Sequence, residues 1–276
     1  MLEAMRRQLS ESLFERVVGP DREKHARRIH ETPGERLFAD DRPIRHVHAD
    51  HAMFIGGLRA LLLQSLHPLA MAAVAQHSDY RTDPWGRLQR TSLFVGVTTY
   101  GTKADAHKAI DKLAHIHSYI HGTASDGRAY RADDPHLLQW VHVAEVDSFL
   151  RCHRRYGEKP LDDYDGYVAD MAVIARAMGV QDPPETVREL DDRINAYRPE
   201  LKGTQEAREA ARFLLLKAPL PFVAKGPYAV LSATAVATLP VWARIPLRLP
   251  YLPISEATGV KLAGHALMRG LRWVTS

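Results

Sequence analysis

One cysteine in 276 residues, Cys152, leaves no intramolecular disulfide and no Cys-rich zinc or iron–sulfur site. It reads as a buried small hydrophobe or a surface thiol. Charge of one sign is also lacking: 37 Lys and Arg stand against 33 Asp and Glu, a formal +4, and the cations are mixed with acids along the chain. No basic patch of the kind nucleic acid requires is visible, so no nucleic-acid partner is expected. Long apolar runs are missing too. The most apolar late stretch, Tyr228 to Ala243, falls short of the roughly 20 residues a spanning helix needs and contains Pro240. Its flanks, PLPFVAKGPY and RIPLRLPYLP, fit either core packing or a membrane surface. The N-terminus has neither an apolar core segment nor a small-residue cleavage site, so no secretory signal is expected. The expected location is cytoplasmic or membrane-peripheral. G-x-S-x-G, P-loop, G-x-G-x-x-G and H-E-x-x-H patterns are all absent, and the common hydrolase and nucleotide-binding classes recede.

What is present is helical periodicity. Apolar residues recur at three and four in nearly every long segment, without alternating runs between hairpin signals, which predicts an all-α fold: a single globular multi-helix domain. An N-terminal helix over residues 1–18 and a charged, His-rich connection to residue 45 precede a helical domain over 46–276. Gly56-Gly57 permits close packing of a helix beginning near His48. Pro68 should break the all-round apolar segment LLLQSLHPLAMAAVAQH. Asp83-Pro84 and Asp134-Pro135 have the cap-plus-proline form of helix starts. A helix is predicted from Lys103 to His121, ended by Gly122, and later ones over 162–178, 184–196, 203–217, 227–243 and 255–273.

Fifteen histidines fall into two groups. His25, His30, His46, His48 and His51 have charged neighbours and read as solvated. His67, His77, His115, His117, His121 and His142 lie in or beside apolar helices, where an imidazole needs a hydrogen-bond partner or a metal. On a continuous helix His117 and His121, four apart, share one side. His142 and Glu145, three apart, can serve one metal, or the carboxylate can orient the ring. Arg87, Arg90 and Thr91 place two cations and a hydroxyl on adjacent turns, suited to a carboxylate, a propionate or a polar oxygen species; the bland alternative is pairing with Asp79, Asp83 or Asp133. Spacing alone leaves open a non-haem metal site from His117, His121, His142 and Glu145, and a non-enzymatic ligand-binding helical protein.

In order along the chain, HP (67–68), AQHSDYRTDPWGRLQRT (75–91), IHSYIHG (116–122), Y-x-A-x-DP-x-LL-x-WVH (130–142) and F-x-x-x-x-x-x-Y-G (149–157) resemble the family of latex-clearing (rubber oxygenase) and MpaB-type oxygenases over roughly residues 45–250. The resemblance implies an oxygenase with a histidine-ligated haem b iron, acting with dioxygen on an apolar, lipid- or terpenoid-like molecule. It implies His117 as the iron ligand, with His121 as the rival and the other ring nitrogen held by an acceptor. It likens Arg87-Leu-Gln-Arg90-Thr91 to a distal Arg-x-x-Lys-Thr motif, and His142 to a later family histidine. Two departures stand out. Arg90 replaces the motif's lysine and cannot lose its proton to coordinate iron. Gly57 to Ser78 contains no acidic residue, so the glutamate base associated with rubber cleavage is missing and olefin cleavage of that kind is not expected. The substrate pocket is expected between the helices at 58–76 and 227–243.

Overall fold

Local capping chemistry decides where most helices begin. In the computed structural model, which describes residues 2–275, the Asp83 carboxylate accepts the Gly86 N–H at 2.9 Å to open α6 (Pro84–Tyr100). Asp134 does the same for the His136 N–H at 2.8 Å, opening α8 (Pro135–Tyr156). Thr102, Thr186 and Thr204 cap α7 (Lys103–Ser118), α10 (Val187–Tyr197) and α11 (Gln205–Leu216). In each case a side-chain oxygen satisfies an N–H that the first helical turn cannot. Proline supplies the breaks. Pro68 separates α4 (Ala52–Gln64) from α5 (Pro68–His77) at a bend of 107°. Pro240 separates α12 (Phe222–Thr238) from α13 (Val241–Leu247) at 119°. The helix expected over 227–243 is therefore two helices, and Pro227, the sixth residue of α12, removes one hydrogen bond from that helix's ladder.

The segment expected as a connection holds α2 (Arg22–His30) and the start of α3 (Pro43–Ala49). The N-terminal helix α1 (Leu2–Val18) docks on α6, where the Gln89 amide donates to the Glu15 and Arg16 carbonyls at 3.1 and 3.2 Å. α9 (Asp165–Ala177) and a last helix, Lys261–Thr275, complete the assembly.

The all-α expectation is met, with one small exception. α7 stops at Ser118, three residues before the predicted end, because the Tyr119 and Ile120 N–H groups turn back to the Ile116 and His117 carbonyls. β1 (His121–Thr123) then pairs antiparallel with β2 (Ala129–Arg131), with Gly122 opposite Tyr130. Gly122 is required by contact: a Cβ there would lie 2.6 Å from the Tyr130 hydroxyl.

α8 is the central element, buried over most of its length and packed along α4. Gly56 meets Phe149 there, and Trp140 donates its indole N–H to the Gln64 carbonyl at 3.0 Å. Cys152 is buried, and burial pushes its thiol up to about 11, so it is one of the two things expected of it, a small hydrophobe. Among the described residues no single helix is long and apolar enough to cross a membrane.

A buried histidine–carboxylate cluster as candidate active site

One side of α8 carries His142, Glu145 and Phe149; α3 and α9 pack against α8, and α6 packs against α3. α3 has no capping side chain of its own. Asp170 of α9 supplies the cap from outside: its carboxylate accepts the Ile44 N–H at 3.1 Å and the Arg42 Nε–H at 2.8 Å. With Ile44 and Val47 buried, His48 on the same helix face turns inward. Its Nδ1 lies 2.8 Å from the Thr99 hydroxyl, its Nε2 lies 3.3 Å from the Tyr167 hydroxyl, and its ring packs edge-on against Phe149. The charged neighbours that suggested a solvated His48 face the other way.

The electrostatics of the cluster are those of a dry interior, where the uncharged form of every group is favoured. Burial lowers His48 to about 3, helped by the charge of His153, and lowers His142 to about 4. Burial raises Glu145 to about 7. Tyr167 is pushed well above its ordinary value by burial first, then by the nearby carboxylates Glu145 and Asp170. His48 and Glu145 lie deep in the fold yet retain some accessible surface.

Of the four imidazoles with an uncommitted buried nitrogen among the described residues, His25 and His117 at Nδ1 and His142 and His153 at Nε2, two were candidates from the sequence: His117 and His142. A buried polar atom without a partner calls for an explanation, and an absent metal is one. Burial lowers the pKa of His117, against a raising effect of Asp133, so both rings are neutral at pH 7, the form that ligates. The donors present therefore fit a haem iron or another imidazole-bound metal. The acceptor expected to hold the second nitrogen of His117 is not found at Nδ1 among the described residues.

The sequence candidates are otherwise dispersed, and His117 has Asp133, not Glu145, as its charged neighbour. His121 stands exposed on β1, opposite Arg131, so it does not share a helix face with His117. Arg87 turns inward: its guanidinium donates to the Ser78 hydroxyl at 2.5 Å, and burial lowers its pKa. Arg90 is exposed and pairs with Asp83 at 3.2 Å, while Thr91 donates to the Arg87 carbonyl at 3.0 Å. His48, Thr99 and Tyr167 were not singled out in the sequence. For His48 the signal was the triplet 44, 47, 48 on one helical face; Tyr167 had none beyond an apolar helix.

A cleft of about 490 Å³ on a different side of α8 is lined in part by Arg59, Asp147, Arg151, Asp191 and Trp242. Its charges are paired with one another, Arg59 with Asp147 at 2.7 Å and Arg151 with Asp147 at 3.0 Å and with Asp191. It is a structural network between α4, α8 and α10.

Buried, neutral imidazoles with uncommitted nitrogens and a carboxyl raised by burial mark a candidate functional site. Among known families, residues 45–273 match the one described as ER-bound oxygenase mpaB/B'/Rubber oxygenase, catalytic domain, and the chain belongs to that family of oxygenase catalytic domains. No match is found among curated proteins or among solved structures.

Proposed function

We propose that this chain is a haem-b-dependent oxygenase acting with dioxygen on an apolar small molecule, with His117 as the iron ligand and His142 and Glu145 as the working groups of the pocket. The observation that carries the reading is that both candidate histidines, His117 at Nδ1 and His142 at Nε2, are among the buried ring nitrogens left without a partner, in a chain of an oxygenase family. When bound, the haem would supply the activation of dioxygen that no amino-acid side chain provides.

The chain's own groups then have separate tasks. Glu145, with its carboxyl near 7, is present in both forms at neutral pH and can release and retake a proton. It offers the carboxylate that the stretch from Gly57 to Ser78 lacks. Neutral His142 accepts a hydrogen bond at Nε2 or donates one, according to which ring nitrogen carries its proton. Tyr167 and Thr99 hold His48 in place, and Phe149 with the apolar faces of α4 and α5 excludes water. Arg87 keeps a cation on the inner side of α6, where an acidic group of the cofactor would pair with it. Arg90 and Thr91 support the start and first turns of α6. A non-haem site built from His117, His121, His142 and Glu145 is disfavoured by the exposed position of His121 on β1.

The test is an absorption spectrum of the protein supplied with haemin, beside His117→Ala and His142→Ala. The expected outcome is a Soret band in the wild type, its loss in H117A and its retention, with impaired oxygen-dependent turnover, in H142A. A wild type that takes up no haemin overturns the proposal. A band lost only in H142A moves the ligand to α8.

A further inference from the structure

A second set of ligand-type side chains lies outside this cluster, where the α4–α5 bend, the start of α8 and the 3-10 turn Arg198–Glu200 meet. His67 is buried and precedes Pro68, His136 is the second residue of α8, and Glu200 ends the turn. The loop is held in register by the Lys202 N–H, which donates to the Leu66 carbonyl at 2.8 Å. One donor atom from each of the three residues lies within 4.8 Å of the other two. His136 Nε2 is 3.0 and 2.9 Å from the Glu200 carboxylate oxygens, and His67 Nε2 is 3.4 Å from one of them. A tetrahedral ion with bonds of about 2.1 Å sets its donors about 3.4 Å apart, a spacing the three side chains would reach by closing on a common point.

The proton inventory around His136 favours a cation at this point. The Tyr197 hydroxyl has one proton, and its acceptors are the His136 carbonyl at 2.8 Å and Gln139 Oε1 at 3.2 Å. Its lone pair then faces His136 Nδ1 at 3.3 Å, so Nδ1 carries the ring hydrogen and donates it. That leaves the Nε2 lone pair directed at a carboxylate, an arrangement that repels unless a proton or a metal lies between them. An outer partner that fixes the tautomer and leaves Nε2 free is how proteins prepare a ligating histidine. His67 contributes a neutral ring, its pKa lowered by burial against the opposing pull of Glu200. Its Nδ1 accepts the Ala70 N–H at 3.5 Å as the N-cap of α5, a contact at the outer limit of a hydrogen bond that ligation through Nε2 would replace.

We propose that His67, His136 and Glu200 form a binding site for a divalent first-row transition metal, zinc by the mixture of two imidazoles and one carboxylate. Three protein donors with a half-exposed rim leave the remaining position to water. The site is separate from the pocket on α8: His136 precedes His142 by six residues, about 9 Å along the helix axis and roughly a third of a turn around it.

With fifteen histidines in the chain, zinc binding by itself would decide nothing, so variants carry the test. The chelator-stripped full chain is titrated with Zn²⁺ by calorimetry and with Co²⁺ by its visible ligand-field bands, with Mg²⁺ as the oxygen-seeking control. One equivalent of Zn²⁺ is expected in the wild type and in His117→Ala, with no Mg²⁺ response. His136→Ala and Glu200→Gln, whose side chains are half-exposed and do not hold up the core, should abolish the Co²⁺ bands. Tyr197→Phe should weaken binding about tenfold by freeing the tautomer of His136. Absence of binding in the wild type, or equal binding in wild type and H136A, would sink the proposal and leave His136–Glu200 a hydrogen-bonded pair.

Discussion

At the scale of single residues, neighbouring glycines can have opposite roles. Gly56 and Gly57 both sit inside α4, where glycine costs about 1 kcal/mol relative to alanine through chain entropy. A Cβ at Gly56 would lie 2.6 Å from Cδ1 of Phe149 and 3.2 Å from its Cα, whereas a Cβ at Gly57 meets nothing within 4 Å. Phe149 also packs against His48, so it cannot retreat without opening the cluster. Gly57→Ala should therefore stabilise the protein by about 0.5–1 kcal/mol. Gly56→Ala should destabilise it by about 1–3 kcal/mol through overpacking. Paired denaturant titrations read both, and equal signs would show that α4 and α8 are less closely apposed than described.

At the scale of elements, helix starts and buried ion pairs differ in worth. Asp83→Ala removes one exposed cap from α6 and should cost about 1 kcal/mol. Asp147→Ala strands Arg59, whose side chain is 3% exposed, and should cost about 3–5 kcal/mol by leaving an unpaired charge between α4 and α8. Shifts in denaturant midpoint at constant m-value would rank the two. The same contrast explains what was legible. Asp83-Pro84, Asp134-Pro135 and Pro68 announced their helix boundaries because capping and proline geometry are local. The end of α7 was not legible, since Gly122 answers to Tyr130, which only the folded hairpin brings beside it. His48 was hidden for a related reason. Its orientation depends on Asp170, far along the chain, capping α3 from another helix. The His142–Glu145 spacing was visible; that Tyr167 and His48 complete their surroundings is a property of packing.

At the scale of the whole molecule, the cluster ties stability to pH with a sign that can be worked out group by group. His48, near 3 when folded, and His142, near 4, both have an ordinary value of 6.5, so the unfolded chain takes up their protons first and stability is lost as pH falls below 6.5. Glu145 works the other way: raised from 4.5 to about 7, it holds a proton in the folded state, and its contribution is lost as pH rises through that interval. Each proton is worth about 1.4 kcal/mol per pH unit. Between pH 4.5 and 6.5 two histidine protons oppose one carboxyl proton, leaving a net rise of about 1.4 kcal/mol per unit from these groups. Burial lowers His51, His67, His117 and His153 too, which adds to the slope but equally in any Glu145 variant. Glu145→Gln removes the opposing proton. Its stability should match the wild type near pH 4.5, climb with a slope steeper by about 1.4 kcal/mol per unit, and stand up to about 3 kcal/mol higher above pH 7. Chemical denaturation across that range measures the difference directly. Parallel curves would mean that Glu145 is already ionised in the folded protein, and its role as the pocket's proton carrier would fall with them.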